Sequence, residues 1–365
     1  RRGGDVALRA LTRKYDGPSL KTLAVSPKEI RNAYAAESPE VIRALKLAKR
    51  NIKRFQRTTF RKKETATEMQ KGVSVWREFR PIERVGLYVP GGTAAYPSTV
   101  LMLAIPAKLA GCSEVVLCVP PDKNGDVPSA VLVAADLCGI TTIFKVGGAQ
   151  AIAAMAYGTE TIPKVSKIFG PGNRYVTTAK LFVYGEVDID MPAGPSEVLV
   201  FADKTANPSW VAADLLSQLE HGKDSQAILV TLSRSLAERV MKEIEVQCER
   251  FPRKAIIKES LKKSFAIVAD SFDVALAFVN GYAPEHLEIL LKDEQEVLKK
   301  IMNAGSVFLG QYTSEPLGDY ATGANHTLPT SGYAKMFSAL SVESFGKKMQ
   351  IQRVTKRGIA GLRDA

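Results

Sequence analysis

Val85-Gly-Leu-Tyr88-Val-Pro90-Gly91-Gly92-Thr93-Ala-Ala-Tyr96-Pro97-Ser98 carries a short apolar run into a Gly/Pro turn and on into an apolar segment, Thr99 to Ala110, that reads as a helix. A strand feeding a glycine turn and then a helix is the opening of an alternating α/β unit, and the chain repeats it. Strands are expected at 114–119, 142–146, 167–169 and 187–191, with helices at 129–138, 149–157 and 173–184 between them. Strands alternating with helices at this spacing argue for a parallel sheet covered on both faces. A second alternating set follows, with strands at 197–201, 227–232, 265–268, 287–291 and 306–309 and helices at 208–220, 236–251, 272–279 and 294–302. The expectation is two doubly wound α/β domains facing each other across a cleft.

Upstream, residues 1–64 read as helical. Val41, Leu45, Ala48, Ile52 and Phe55 fall at three- and four-residue steps, so one helix lays an apolar stripe on a core and turns its lysines outward. Val73 to Arg80 alternates and reads as a strand.

Composition narrows the class. A chain of 365 residues with 45% hydrophobic and 24% charged residues is ordinary for a globular protein of two or three domains. The longest apolar run, 100–110, is broken by Pro106 and Lys108 and is far too short to span a bilayer. No cleavable signal peptide is visible, although the chain begins at Arg1 without a methionine, so its natural start is expected upstream. Cys112, Cys118, Cys138 and Cys248 show no C-x-x-C spacing, and reduced thiols in a cytoplasmic protein are expected. The net charge of +12 suits anionic partners. Its lysines and arginines, however, lie on mixed-charge helices with no basic arm interleaved with aromatics, which argues against nucleic acid.

Ligands of parallel sheets bind beyond the carboxyl ends of the strands. The loops expected there, Gly147-Gly148-Ala149-Gln150 and Gly170-Pro171-Gly172-Asn173, expose backbone N–H groups at helix starts, which suits phosphate. Neither is G-x-G-x-x-G, so the standard dinucleotide fingerprint is absent, and glycine at such turns is as often a backbone necessity. In Leu216-Ser-Gln218-Leu-Glu-His221-Gly222 an amphipathic helix runs out at glycine with Gln218 and His221 three residues apart on one face. An amide oxygen and an imidazole suit a borderline divalent ion such as zinc, yet two ligands do not make a site, and a capping histidine explains the pair as well. Only three histidines occur, and the other two, His286 and His326, also sit in polar, turn-rich strings. Asp319, in Gly318-Asp319-Tyr320, can complete a set of three ligands with Gln218 and His221. Pro284-Glu285-His286 sets a carboxylate beside an imidazole; both reach one substrate only if the strand has not begun at Glu285. Met191-Pro-Ala-Gly194-Pro195-Ser196-Glu197 joins the two sets, either as a hinge or with Ser196 as a hydrogen-bond partner for substrate.

Taken together, these strings resemble the histidinol dehydrogenase family over nearly the whole chain. They run from Arg2-Gly-Gly-Asp5 through Phe169-Gly-Pro-Gly-Asn173, Asp190-Met-Pro-Ala-Gly-Pro-Ser196-Glu197 and Ala283-Pro-Glu285-His286 to Met349. The resemblance implies two incomplete Rossmann-like domains of aldehyde-dehydrogenase type: residues 1–87 with 195–345 around the metal, residues 88–194 around NAD, and 346–365 beginning a C-terminal tail. It implies a four-electron oxidation of L-histidinol through L-histidinal to L-histidine with zinc and two NAD in succession. By the same resemblance Gln218, His221 and Asp319 hold zinc, Glu285 and His286 are the acid–base pair, and Ser196, His326, Gln218, His221, His286 and Asp319 surround substrate. Tyr88, Gln150 and Asn173 fall at NAD. Family members carry a further C-terminal segment that gives a glutamate to substrate and a fourth zinc ligand, a histidine, to the partner subunit of an intertwined homodimer. Here the chain stops at Asp364-Ala365, which leaves two alternatives standing: a related zinc-dependent dehydrogenase of another amino or sulfonated alcohol, and a catalytically silent relative.

Overall fold

The computed structural model describes residues 3–91, 95–192 and 194–363; Gly92, Thr93 and Ala94 of the first glycine turn, and Ala193 of the joining string, lie outside the described residues. Helices α1 (Gly4–Tyr15), α2 (Pro27–Ala36) and α3 (Pro39–Thr59) open the chain, and strands β1 (Thr67–Gln70) and β2 (Val73–Pro81) form a hairpin after them. Ser26 and Ser38 cap α2 and α3 by accepting from the backbone N–H groups of Glu29 and Val41, each followed by proline at the first helical turn.

The first alternating set is β3 (Arg84–Tyr88), α4 (Pro97–Ala110), β4 (Glu114–Val119), α5 (Ser129–Leu137), β5 (Thr142–Lys145), α6 (Gly148–Tyr157), β6 (Lys167–Phe169), α7 (Arg174–Val183) and β7 (Asp188–Ile189). Its strands make one parallel sheet in the order β5-β4-β3-β6-β7. The second set is β8 (Glu197–Ala202), α8 (Pro208–Leu219), β9 (Gln226–Thr231), α9 (Arg234–Cys248), α10 (Lys254–Leu261), β10 (Phe265–Val268), α11 (Phe272–Tyr282), β11 (His286–Leu290), α12 (Glu294–Leu298) and β12 (Ser306–Leu309). It forms a second parallel sheet ordered β10-β9-β8-β11-β12. Both sheets reverse direction beside their first strand, the point where doubly wound sheets open a crevice. Each is sandwiched between two apolar clusters, so β3, β4, β8 and β11 are buried on both faces, in keeping with their mostly apolar sequences.

The expected division of the chain is corrected at two places. A boundary after residue 87 cuts through β3, the central strand of the first sheet. Residues 1–60 also pack largely beside that sheet, α1 on α6, α2 on α5, and α3 on α4 and α5, while α3 keeps contacts with 195–345, where Asn51 Nδ2 donates to Ala321 O at 2.7 Å and Val342 N–H to Gln56 Oε1 at 3.1 Å. The segment after α1 even extends the sheet edge, where Val25 N–H donates to Ile143 O and Lys145 N–H to Leu23 O. Periodicity showed that α3 buries a stripe but could not say against which core. The stretch expected to begin a tail instead opens with a strand, β13 (Gly346–Val354), paired antiparallel along the whole of β2. Among the described residues no helix is long and apolar enough to cross a membrane.

Candidate active site

The cleft between the two sheets holds a cavity of about 520 Å³ lined by Tyr88, Asn173, Ser196, Gln218, His221, Glu285, His286, Asp319 and His326. Nine of the ten residues singled out from the sequence therefore meet in one place. The tenth, Gln150, lines an adjoining cavity of about 1130 Å³ above the carboxyl ends of β3, β4 and β5, and Tyr88 and Asn173 border both.

Glu285 and His286 sit where a loop becomes a strand: β11 begins at His286, and Pro284 precedes the pair. Before regular alternation starts, two consecutive side chains can share a face, and Glu285 Oε2 lies 3.6 Å from His286 Nδ1. That nitrogen faces the carbonyl oxygen of Glu197 at 3.1 Å, on the neighbouring strand β8. The contact makes Nδ1 the protonated nitrogen and leaves Nε2 toward the cleft. His286 Nε2 lies 3.4 Å from Asp319 Oδ1 without hydrogen-bond geometry. Burial works against a charge on His286, but the Glu285 carboxylate and Asp319 outweigh it and raise its pKa well above the ordinary value. Asp319 is driven below the usual carboxylate range, because the neighbouring His286 and His326 overcome the effect of its burial.

Gln218 ends α8 and is almost wholly buried, as its place on the apolar stripe requires, yet its Oε1 has no hydrogen-bond partner. His221 follows two residues beyond the helix, with burial lowering its pKa and so favouring the neutral imidazole that binds metal. His326 Nε2 is likewise buried without a partner. Its loop is pinned by Asn325, whose amide donates to Met102 O at 2.9 Å and whose oxygen accepts from Thr327 N–H at 2.8 Å. A buried orphan amide oxygen, a neutral imidazole and an ionised carboxylate are a donor set that zinc accepts. Buried polar atoms are seldom left unpaired, so the residues fit such an ion.

Acidic groups not singled out from the sequence crowd behind this site. Glu315 is buried, its Oε2 accepts from Ser217 Oγ at 3.1 Å, and its ligand atoms lie within 4.8 Å of those of His286 and Asp319. Burial first, then the charge of Asp319, pushes its pKa up to about 8. Glu288 on β11 is fully buried against Asp214 on α8, and burial raises both, Asp214 to about 6. Glu288 had a signal: it is a lone charge inside the apolar run Leu287-Glu288-Ile289-Leu290. Glu315 had none, since an acid in a polar loop reads as surface.

The larger cavity is bordered by strand ends, glycine and proline turns and helix starts. Tyr88, at the end of β3, accepts through its hydroxyl from Gly148 N–H at 3.1 Å, at the start of α6. Asn173 caps α7, its Oδ1 accepting from Tyr175 and Val176 N–H at 3.0 and 3.2 Å. Glycine is required here: a Cβ on Gly147 would come within 2.4 Å of Pro120, and one on Gly170, held at φ +122°, within 2.0 Å of the Tyr88 carbonyl oxygen. Two helix starts, α6 and α7, thus border a roomy cleft next to the buried acid–base pair, which suits a dinucleotide whose reactive end reaches the smaller cavity.

Comparison with known proteins agrees with this geometry. The family profile described as "Histidinol dehydrogenase" matches residues 1–365. Histidinol dehydrogenase of Bacteroides thetaiotaomicron is 53% identical over 360 residues, 98% of this chain and 83% of that protein. The crystal structure of histidinol dehydrogenase from Elizabethkingia anophelis is 51% identical and superposes with a TM-score of 0.95, covering 98% of this chain and 83% of that one. An acetylating aldehyde dehydrogenase from Geobacillus thermoglucosidasius, 12% identical with a TM-score of 0.54 over 96% of this chain and 94% of its own, shares the fold alone.

Proposed function

Since the chain belongs to the histidinol dehydrogenase family, we propose that its cleft oxidises L-histidinol to L-histidine by way of L-histidinal, with zinc and NAD. The observation that carries the reading is the convergence of Glu285, His286, Gln218, His221 and Asp319 on one buried cavity next to the glycine-lined cleft. Gln218, His221 and Asp319 would hold zinc; Tyr88, Gln150 and Asn173 would contact NAD. When bound, zinc supplies a fixed positive charge that orients the substrate's amine and imidazole nitrogens, and NAD supplies the hydride acceptor.

The protein's own groups handle protons and position. His286, with its Nδ1 proton tied to Glu197 O, takes the hydroxyl proton at Nε2 as the carbinol carbon loses hydride; its raised pKa places the neutral form needed for this at higher pH than in a free imidazole. In the second half Glu285 takes a proton from the water that adds to the aldehyde, and the resulting hydrate loses its own hydride. Water enters once, two hydrides leave to two NAD and three protons are released to solvent by way of these groups, which balances alcohol to carboxylate. Ser196 and His326 border the same cavity as hydrogen-bonding groups for the substrate. Burial of the pair excludes bulk water, so the aldehyde stays in place between the two steps.

The reading includes a homodimer whose partner subunit completes the site, checked by sedimentation of the full-length enzyme. The function itself is tested with purified zinc-loaded enzyme: two NADH should form for each histidinol consumed, with histidine as product. No NADH on histidinol, or faster turnover of another amino or sulfonated alcohol, would defeat it.

A further inference from the structure

Glu197 is buried at the start of β8, directly behind the acid–base pair, and its bonds run both ways. Its backbone N–H donates to Glu285 Oε2 at 2.9 Å, while its own Oε1 accepts from the N–H groups of Glu285 at 3.3 Å and Ser331 at 3.0 Å. Its other oxygen, Oε2, lies 3.0 Å from the hydroxyl of Tyr282. That hydroxyl also lies 2.6 Å from Gln226 Oε1. The orientation of the Gln226 amide is settled by its far end, where Nε2 donates to Lys263 O at 2.6 Å. Tyr282 thus stands between two oxygens with a single proton to give. If it donates to Gln226, as the shorter contact indicates, Glu197 Oε2 must carry a proton of its own and donate to the Tyr282 oxygen.

We propose that Glu197 is a neutral carboxylic acid in the working enzyme, a positioning residue that holds Glu285 by its backbone and leaves to Glu285 the single negative charge of the pair. Resting on the reading of Glu285 and His286 as the acid–base pair, it explains how two buried carboxyls coexist. A negative charge on Glu285 opposes a second one on Glu197, and a proton held on Glu197 relieves that repulsion. Burial, followed by the charge of Glu285, raises the pKa of Glu197 to about 7, against the pull of Tyr282 and the two backbone donors. The groups facing Glu197 are Glu285, Tyr282 and the backbone of Ser331, and its carbonyl faces His286. Their combined geometry fixes the Glu285 backbone and the His286 tautomer from one residue.

The test uses full-length enzyme. Glu197→Leu should keep its melting temperature within a few degrees and lose kcat by about ten- to a hundredfold, as a small displacement of a reacting group does, with KM for histidinol little changed. Glu197→Gln copies a neutral acid, since its oxygen accepts from both backbone donors and its NH2 donates to Tyr282, and it should recover most of that kcat. Infrared difference spectra of wild type against Glu197→Gln at slightly acidic pH should show the carbonyl stretch of a buried protonated acid only in the wild type. A Gln variant as slow as the Leu variant, or no such band, would overturn the proposal. Full turnover by Glu285→Gln would instead remove the acid–base reading while leaving the infrared result for Glu197 in place.

Discussion

The two sheets have the same architecture and opposite contents. Above the first, glycines, prolines and two helix starts border the cavity beside Asp16, Asp122 and Lys123, with Tyr88 and Asn173 spending their polar atoms on backbone N–H groups. Above the second, Glu197, Glu285, His286, Glu288 and Glu315 are buried, with Asp214 half-buried against Glu288. A doubly wound sheet provides a crevice and aligned helix starts, which is enough to receive a large anionic ligand through backbone groups. Moving protons requires titratable groups taken out of water, and those must be held by one another. One fold supplies position twice; beside the first sheet the buried charge of Lys180 and Asp190 is spent on an ion pair, while beside the second the buried histidine and acids face the cleft or one another.

Breaking that division of labour should be hardest at His286. His286→Ala should lose between about a hundredfold and ten-thousandfold in kcat and keep the affinity for NAD measured by fluorescence titration; a parallel loss of NAD binding would mean that the two sheets are not separable. Asp319→Ala should weaken zinc by more than the roughly ten- to hundredfold that outer-shell changes cost, read by chelator competition, again with NAD affinity unchanged. On the other side, Gly170→Ala is expected to cost at least about 1–3 kcal/mol of stability for the left-handed backbone alone, with the Tyr88 carbonyl pushed aside. Its NAD affinity should fall while zinc affinity holds.

The buried acids also give the second sheet a pH signature. Their folded pKa values lie above the unfolded ones, with Asp214 at about 6, Glu197 at about 7 and Glu315 at about 8. The folded state therefore holds more protons, and this stability is fully present below about pH 4 and lost as pH rises through 6 to 8. In zinc-free protein the melting temperature should decline across that range, and Glu288→Leu should flatten the decline; a flat wild-type profile would contradict the buried acid cluster. The smallest effect belongs to Tyr88→Phe, which gives up one neutral hydrogen bond worth about 1 kcal/mol, seen as weaker NAD binding with kcat for the acid–base steps retained.

Much of this was legible along the chain. Every strand expected in the two sets is present, because parallel strands buried on both faces are short, mostly apolar runs; among the helices α10 is additional to those expected, and α12 and the strand β7 are shorter than expected. Gln218, His221, Glu285, His286 and Asp319 were visible because polar residues at a helix end or in turn-rich strings stand out against apolar neighbours. What failed was assignment between elements. The stripe on α3 announces burial but not the partner, and α3 packs on α4 and α5 while also touching the turn at 318–322; β13 has no apolar pattern to show because it is an exposed strand.

By itself, then, the amino-acid sequence determined the sequence of elements, the two-sheet architecture and the family to which the chain belongs, since local periodicity and residue strings are properties of the chain alone. Only the tertiary structure decided which charges are buried. Glu197 and Glu315 carry no mark in the sequence and Glu288 only that of a lone charge in an apolar run, and they become buried acids because packing β8, β11, α8 and the loop after β12 together removes their water. Ionisation answers to that environment, which long-range contacts create and no local pattern records.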